Sequence, residues 1–380
     1  MDKIFYLDNT ATTKCFDEVV DCAKKYLRDD FYNPSAVYDK SVAVKRDINY
    51  ARKIVLDSLG SNSGELIFTG SATEANNTII LSQKNIKGKK YLFGEGEHPS
   101  VMQCAKLLEL RGYNVQYVPL DREGCVDVLK FQELVKDGDV AFISVQHVSN
   151  ETGAINPISK LVKIAKMFNP KVLFHSDGVQ AFMKFDYSVL DLNVDFYTIS
   201  AHKIHGPKGV GAFYVKNDVR FVPYIIGGGQ EKGMRSGTEN VFGIMAFSIA
   251  VEKIKADKKE NLNKVSSMKD ELLKELKAQS VVYKIHGSGI PHILSVCLSD
   301  KVRGETLVHA LERRGVYIST GSACSSTKHM NQTLEAMGVD KEEILSSVRI
   351  SFSPYMDFDA KIVAGIIKEE LDKLEVRSYE

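Results

Sequence analysis

The sequence has almost no net charge, because 50 lysines and arginines nearly balance 49 aspartates and glutamates. No overall field therefore attracts the chain to nucleic acid or to an anionic membrane surface, and direct nucleic-acid binding is not expected. No stretch approaches the roughly 18 apolar residues that cross a membrane, and no basic N-terminal region leads into a long apolar run. We therefore expect a cytoplasmic globular protein without a membrane partner.

Cysteine is present, but without the spacing of a metal site. The six residues lie at positions 15, 22, 104, 125, 297 and 324, and none belongs to a CxxC pair. A chain of 380 residues also has no need of disulfide staples. We expect reduced thiols and no metal, so each cysteine is judged by its surroundings.

Short apolar runs alternate with amphipathic segments between residues 64 and 215. ELIFTG precedes TEANNTIILSQ, and KYLFGEG precedes PSVMQCAKLLELRG. This alternation predicts an α/β fold, in which a mostly parallel sheet is covered by helices on both faces. Functional residues are then expected just after the strands, where the ligands of such sheets bind.

A long helical pattern over residues 246–279 connects this region to a second group of segments. These are the strand candidates VYKIHG, HILSVCLS and VRISFS and the helix candidates GETLVHALERRG and DAKIVAGIIKEELDKLE. We predict a large domain over residues 15–255 and a smaller α+β domain over residues 1–14 and 256–380. The small domain contains TGSACSST, whose Cys324 must reach toward the large domain to react.

The segment TISAHKIHGPKG places Lys203 directly after a predicted strand. A lysine there can be an ordinary surface residue, or it can form a Schiff base with pyridoxal phosphate. The second interpretation requires a carboxylate for the ring nitrogen, donors for the phosphate, and a ring over the cofactor face. Residues after other strands are candidates for all three.

Asp177, in LFHSDGVQA, is the candidate carboxylate. A buried carboxylate is costly unless it is paired with a cation such as a protonated ring nitrogen. The alternative is that Asp177 caps the following helix. Gln180, three residues further on, could donate to the phenolic oxygen of the cofactor.

FTGSATEANN and GEGEHPSV supply the other two features. The first predicts a helix whose free amides, near Ala72, Thr73 and Glu74, would face an anion, although the same residues can form an ordinary cap. His98, in the second, could lie over the ring and move protons. A lone histidine is more often an ordinary loop residue.

Together with Lys203, these segments belong to an ordered set of motifs that resembles the cysteine desulfurases, in the class V branch of pyridoxal phosphate enzymes. The motifs are YLDNTATT, NPSAVY, FTGSATEANN, EHPSV, VSNETGAINPI, HSDGVQ, SAHKIHGPKG, GGGQEKGMRSGTEN, GSACSS and VRISF. The resemblance implies a fold type I enzyme whose mostly parallel, seven-stranded-type sheet is sandwiched by helices. It also implies removal of sulfur from L-cysteine, which leaves L-alanine and a protein persulfide.

The resemblance assigns roles to residues as well. Lys203 would carry the cofactor, Asp177 would keep the ring nitrogen protonated, and Cys324 would form the persulfide. His98 would stack on the ring and transfer protons, and Gln180 would bond the phenolic oxygen. The other implied site residues are Ala72, Thr73, Ser200, His202 and Thr238 for the cofactor and its phosphate, Asn150 for cofactor and substrate, and Arg349 and Asn33 for the substrate.

The resemblance also implies partners. Because Thr238 would reach the phosphate of a second subunit, a homodimer is expected. The sulfur would pass to a protein acceptor in iron–sulfur cluster assembly or in tRNA or cofactor thiolation.

A few positions depart from the family pattern. Thr10 replaces a small or amide residue, and TGSATE reverses the usual Ser-Gly order. His147 replaces a hydrophobic residue and could perturb the substrate fit. The segment SPYMDFDAK after VRISF lacks the usual Gly-Arg-x-x-Thr, which leaves that edge of the site in doubt.

The small residues around Cys324 suit a thiol that moves. Gly321, Ser322, Ala323 and the serines that follow Cys324 offer little packing to anchor a loop. Because a free thiol is mostly protonated at neutral pH, a base is needed, and His98 is the candidate. We expect this loop to be weakly ordered without substrate.

Two kinds of alternative remain open at this point. The first is another enzyme of the same superfamily, either a selenocysteine lyase or a transaminase of small amino acids, and the transaminase would have no need of Cys324. The second is a non-catalytic scaffold that binds partners in sulfur assembly. The combined presence of Lys203, Asp177, His98 and Cys324 argues against the scaffold.

Overall fold

The structure is a computed structural model that describes residues 3–220, 222–321 and 330–377. Its strands are β1 (Phe5–Tyr6), β2 (Glu65–Thr69), β3 (Lys90–Gly94), β4 (Asn114–Val118), β5 (Val140–Ser144), β6 (Leu173–Asp177), β7 (Phe196–Ser200), β8 (Gly211–Val215), β9 (Lys284–Ile285), β10 (Ile293–Cys297), β11 (Val316–Tyr317) and β12 (Ser347–Ser351). Its helices are α1 (Asp17–Arg28), α2 (Asp39–Ser58), α3 (Ala72–Leu81), α4 (Pro99–Leu110), α5 (Val128–Val135), α6 (Ile158–Phe168), α7 (Val189–Leu192), α8 (Val241–Ala278), α9 (Gly304–Glu312), α10 (Gln332–Ala336), α11 (Lys341–Ser346) and α12 (Ala360–Arg377). Short 3-10 turns cover Ala201–Lys203 and Glu231–Gly233. Within the described ranges, no helix is both long and apolar enough to cross a membrane.

Strands β2 to β8 form one seven-stranded sheet in the order β2-β8-β7-β6-β5-β3-β4. The pairs from β4 through β3, β5 and β6 to β7 are parallel, whereas β8 is antiparallel to both β2 and β7. The strands β7 and β8 are buried along their whole length, as expected of strands covered on both faces. The predicted α/β fold with a mostly parallel sheet is confirmed.

Apolar side chains cover both faces of this sheet. Consecutive strand residues point to opposite faces, so Leu66 joins one core and Ile67 joins the other. In the same way Phe142 packs with the residues of α3 and α4, while Ile143 packs with those of α1, α2, α6 and the first half of α8. The helices predicted between the strands therefore form the two outer layers.

A second apolar core joins β1, β10, β12, α9, α12 and the second half of α8. Helix α8 is 38 residues long, and its backbone leaves helical geometry at Asp257 (φ −120°, ψ 18°). Its buried residues up to Ile254 belong to the large core, and those from Val265 onward belong to the second core. The long helix therefore connects the two cores, while a domain boundary at residue 255 stays a prediction.

The strands β2, β3, β5, β6 and β7 all end at one edge of the sheet. Residues at or just after these ends are Ser71, His98, Gln146, Asp177 and Ser200. This is the edge at which ligands of parallel sheets bind. The fold therefore brings together polar residues from five separate segments of the chain.

Candidate active site

A cavity of about 410 Å³ lies beyond this edge, within the size range of small-molecule sites. Its walls include residues expected from the sequence to hold cofactor or substrate: Ala72, Thr73, His98, Asn150, Asp177, Gln180, Ser200, His202, Lys203 and Arg349. The other wall residues are Thr10, Ala11, Ser71, Pro99, Ser100, Gln146, Val148, Glu151, Val179 and Gly321. The fold therefore gathers most of the predicted site around one space.

Asp177 is the last residue of β6 and is only 7% exposed. Its Oδ2 accepts a hydrogen bond from Asn76 Nδ2 at 2.8 Å, and its Oδ1 accepts one from the Val179 amide at 3.0 Å. Each carboxyl oxygen already accepts one hydrogen bond from the protein. Asp177 is therefore held as an acceptor on the cavity wall.

Lys203 ends the 3-10 turn that follows β7. Its Nζ donates to the carbonyl oxygens of Thr10, at 2.6 Å, and Ala11, at 2.7 Å. The Thr10 amide in turn donates to Ser351 Oγ at 2.9 Å, which fixes this stretch of backbone against β12. Because this hydrogen bond runs to the backbone carbonyl of residue 10, it does not depend on the unusual side chain there.

Helix α3 begins at the cavity. Its cap residue Ser71 accepts a hydrogen bond from the Glu74 amide at 3.1 Å. Three amides were predicted to face an anion, and one of them, that of Glu74, is already used in this cap. The amides of Ala72 and Thr73, in the first turn of a ten-residue helix, are those suited to a phosphate.

His98 precedes α4 and caps it, since its Nδ1 accepts from the Ser100 amide at 3.1 Å. Ser100 Oγ, which receives a hydrogen bond from Asn76, lies 2.8 Å from the same nitrogen. Nδ1 is thus an acceptor, and the neutral ring carries its proton on Nε2. A base role toward Cys324 would therefore require a change of tautomer first.

The pKa of His98 favours this neutral ring. Burial against the cavity wall lowers the pKa, and the charge of Lys203 lowers it further, while Asp177 and Glu151 oppose this effect. A lowered pKa keeps the imidazole uncharged at neutral pH. His98 can therefore stack on a ligand or donate from Nε2 without bringing a positive charge.

His202 is the second imidazole of the wall. Burial, and then the charges of Lys203 and Lys208, lower its pKa to about 4. Its Nδ1 lies 3.2 Å from Thr12 Oγ1. When the Thr12 hydroxyl donates to this nitrogen, Nε2 carries the proton and is a donor for an anion beside Ser200.

Arg349, in the middle of β12, reaches the cavity from the second core. Its Nη1 donates to the Asn150 carbonyl at 3.0 Å and pairs with Glu151 at 3.3 Å, while its Nη2 pairs with Asp8 at 3.1 Å. Burial raises the pKa of Asp8, and the charge of Arg349 opposes this shift. Within the described part of the chain, the buried Nε of Arg349 has no hydrogen-bond partner.

Glu151 connects Arg349 to the residues on either side of the cysteine segment. Its Oε1 accepts from Asn150 Nδ2 at 2.7 Å, and its Oε2 accepts from Asn331 Nδ2 at 2.8 Å. Gly321, with φ +86°, packs so closely that a Cβ there would overlap Glu151 Oε2. A single buried carboxylate therefore anchors the arginine, Gly321 and Asn331.

Comparison with known proteins identifies the family of this chain. Residues 5–360 match the family described as Aminotransferase class-V. The chain belongs to this family. Among curated proteins of similar sequence, the cysteine desulfurase IscS of Dictyoglomus turgidum is 33% identical over 98% of this chain and 96% of its own length. The cysteine desulfurase IscS of Methanosarcina thermophila is 35% identical over 98% of this chain and 93% of its own length.

Solved structures agree with this class V assignment. A NifS-like protein superposes with a TM-score of 0.91 and 32% identity over 98% of this chain and 100% of its own. The NifS-like protein from Rickettsia africae gives a TM-score of 0.86 and 28% identity over 98% and 99% of the two chains. The predicted fold type I architecture and the predicted cysteine desulfurase function are confirmed.

Two predicted residues do not line the cavity, and a third lies outside the described residues. Asn33 is exposed, and its Oδ1 accepts from the Ser35 amide at 2.9 Å. Thr238 lines a separate recess of about 150 Å³ with Gly70. Cys324, with the loop predicted around it, lies outside the described residues. The roles of all three stay predictions.

The structure also locates two of the departures from the family pattern. His147 does not line the cavity, and its Nδ1 lies 2.7 Å from Tyr197 Oη. After β12, Ser353 Oγ lies 2.8 Å from His205 Nε2, and Tyr355 packs edge-on against the same ring at 5.1 Å. The unusual segment therefore supports the wall behind Lys203 rather than contacting the cavity.

Several residues around the cavity were not predicted from the sequence. Asn76 and Ser100 support Asp177 and His98, and Glu151 supports Arg349. Glu151 follows the predicted site residue Asn150 directly, so its position in the sequence was an available signal. Asn76 has no such signal, because its contact with Asp177 joins positions 101 residues apart.

Proposed function

We propose that this cysteine desulfurase uses pyridoxal phosphate to remove sulfur from L-cysteine, and that Cys324 receives the sulfur as a persulfide. The observation that carries the proposal is the grouping of Lys203, Asp177, His98 and Arg349 around one cavity. A related solved structure, SspA, was determined in complex with cysteine and is 28% identical, with a TM-score of 0.81 over 93% of this chain and all of its own. That ligand supports the choice of substrate.

The residues of the cavity fit the cofactor. Asp177 would accept a hydrogen bond from a protonated ring nitrogen, and Lys203 offers the amine for covalent attachment. The phosphate would take the amides of Ala72 and Thr73, with His202 as a further donor. When bound, pyridoxal phosphate withdraws electrons from the α-carbon of an amino acid.

The remaining residues would bind and orient the substrate. Its carboxylate would take guanidinium N–H groups of Arg349, which lines the cavity, and Asn150 would add an amide donor. Lys203 is the amine best situated to take the α-proton. These contacts hold the carboxylate and the α-carbon of the substrate, so its sulfur is left free to be attacked.

The sulfur step needs a second thiolate, which we assign to Cys324. Its attack on the substrate sulfur forms a sulfur–sulfur bond, and the electron pair of the Cβ–S bond stays on carbon, which takes up a proton to give alanine. Gly321 and Asn331, the described residues near this segment, both lie against Glu151 beside the cavity. Their position supports the access of the thiol to the substrate.

The test compares the purified protein with Cys324→Ala while alanine and sulfide are measured from L-cysteine. We expect the substitution to abolish both products, whereas Cys125→Ala, which removes a half-buried thiol bonded to the Ile155 carbonyl, keeps them. Desulfurase activity that survives in Cys324→Ala would contradict the assignment. Activity of that variant toward selenocysteine alone would indicate a selenocysteine lyase, and conversion of L-cysteine to 3-mercaptopyruvate, with the sulfur retained, would indicate a transaminase.

We also propose a homodimer in which Thr238 completes the phosphate site of the partner. Its recess shares no wall residue with this chain's own cavity, which supports a contact to another chain. Mixing inactive Lys203→Ala subunits with Thr238→Ala subunits gives the test. In a mixed dimer, one site lacks both Lys203 and Thr238, whereas the other site has both. We therefore expect mixed dimers to be more active than dimers of either variant alone.

The sulfur acceptor and the location of the protein also belong to this proposal. We expect a cytoplasmic protein acceptor, either an iron–sulfur scaffold or an enzyme of tRNA thiolation. Incubation with radiolabelled cysteine followed by capture of labelled proteins from extract would identify the acceptor. Label that stays on the desulfurase alone would contradict protein-to-protein transfer.

A further inference from the structure

Lys184 lies behind the candidate active site, in the turn that follows β6. The residue before it, Met183, has a left-handed backbone with φ +61°, a conformation that is strained for a residue with a side chain. The turn brings Lys184 Nζ to 2.6 Å from Gln180 Oε1. A strained turn beside a site is a reason to ask what it positions.

The surroundings of Lys184 link it to the lysine of the site. It lines a small cavity of about 40 Å³ that shares Thr10 and Lys203 with the main cavity. Burial, followed by the charges of Lys203 and Arg349, lowers the pKa of Lys184 to about 7. Because an amine donates hydrogen bonds whether or not it is protonated, its contact with Gln180 persists in either state.

This contact decides which way the Gln180 amide points. The amide has an acceptor oxygen on one side and a donor nitrogen on the other. Since the Thr10 carbonyl can only accept, Nε2 faces it at 3.2 Å, and the oxygen faces Lys184, whose amine donates to it. The Thr10 carbonyl also accepts from Lys203 Nζ at 2.6 Å. A reversed amide would set two oxygens against each other.

We propose that Lys184 is a positioning residue that holds the Gln180 amide with its NH₂ group toward the cavity, where it donates to the ring oxygen of the cofactor. The inference rests on the proposed function, because that oxygen belongs to pyridoxal phosphate. Nε2 carries two protons, of which the Thr10 carbonyl takes one. The second is left for the cofactor.

The test measures the affinity of the apoprotein for pyridoxal phosphate and the pH midpoint of the visible absorbance change of the loaded protein. In Lys184→Met the amide can reverse, so we expect the dissociation constant to rise about tenfold, the effect of one hydrogen bond to a charged oxygen, and the midpoint to shift. Lys184→Arg keeps the donor and should restore both values. Lys258→Met removes another cation from the same small cavity, one that pairs with Asp186 at 2.8 Å, and should change the affinity less than about twofold.

A double-mutant cycle with Gln180→Leu separates positioning from general support of the fold. If Lys184 acts through Gln180, Lys184→Met causes no further loss in the Gln180→Leu background. An unchanged affinity in Lys184→Met, or an equal loss in both backgrounds, would overturn the inference while leaving the proposed function intact. A wild-type protein that binds pyridoxal phosphate without any visible band would instead remove the proposed function, and the inference with it.

Discussion

The buried imidazole of His147 makes the stability of this protein sensitive to acid. The residue is 3% exposed, bonds Tyr197, and packs edge-on against Tyr187 and Phe185 at ring distances of 4.9 and 5.3 Å. Burial lowers the pKa of His147 from 6.5 to about 4. Between these two values the unfolded chain binds a proton at this position and the folded chain does not.

The sign and the size of the effect follow from this difference. The folded-state pKa is the lower one, so the stabilisation is fully present above about pH 6.5 and is lost as the pH falls toward 4. With these two values, linkage predicts that His147 alone lowers the free energy of unfolding by about 1.8 kcal/mol between pH 7 and pH 5. Packing contributes equally at both pH values and cancels from this difference.

The substitution His147→Asn keeps a polar group near Tyr197 but removes the titration. We expect it to lower the free energy of unfolding at pH 7, because a well-packed ring is lost. At pH 5 we expect the difference in the free energy of unfolding between wild type and variant, here called the gap, to be smaller by about 1.8 kcal/mol. Urea denaturation followed by circular dichroism at the two pH values measures both gaps. His309→Asn is the control, because that side chain is 66% exposed. A His147→Asn gap that is the same at both pH values would refute the reasoning.

Three further substitutions test the walls of the cavity. Asn76→Ala removes a charge-assisted hydrogen bond to Asp177, and we expect it to lower the free energy of unfolding by about 2 kcal/mol in urea denaturation, whereas an unchanged midpoint would contradict this role. Arg349→Lys keeps the charge but loses the planar fork, so the KM for L-cysteine should rise about tenfold, and an unchanged KM would show that the fork is not used. Gly321→Ala forces a side chain into a left-handed backbone and against Glu151, so we expect a loss of about 1–2 kcal/mol in stability and a lower kcat, and wild-type values for both would contradict the contact.

The sequence predicted the large-domain sheet well because its strands are short apolar runs bounded by turn residues. The same logic located Asp177 and Lys203, since each lies at the end of a strand or shortly after one. Helices α1 and α2 were not predicted, because their buried positions pack against α8, about 200 residues further along the chain. A pattern read within one window of sequence cannot reveal a partner at such a distance.

The supporting contacts of the site were missed for a related reason. Asp8 pairs with Arg349, which lies 341 positions further along the chain. Lys184 contacts Gln180 because of the direction in which a turn points its side chain. Neither residue differs in the sequence from an ordinary surface charge. Motifs identify the groups that touch a ligand, whereas the residues that orient those groups become visible only in three dimensions.

The charges around Arg349 constrain which molecules can bind there. Two carboxylates, Asp8 and Glu151, already face its single positive charge. A simple carboxylic acid would add a third negative charge to this buried group, whereas a zwitterionic amino acid brings its own ammonium group and adds no net charge. We therefore expect L-cysteine to bind at least about tenfold more tightly than 3-mercaptopropionate, the same thiol acid without the amine. Competition between the two ligands for the cofactor-free protein isolates this electrostatic effect, because the amino group of cysteine has no cofactor to react with. Equal affinities would mean that the carboxylate pair does not select the substrate. The variant Asp8→Asn gives a second test, because our reasoning requires this substitution to strengthen the binding of 3-mercaptopropionate. If the carboxylate pair plays no part, the substitution should leave both affinities unchanged.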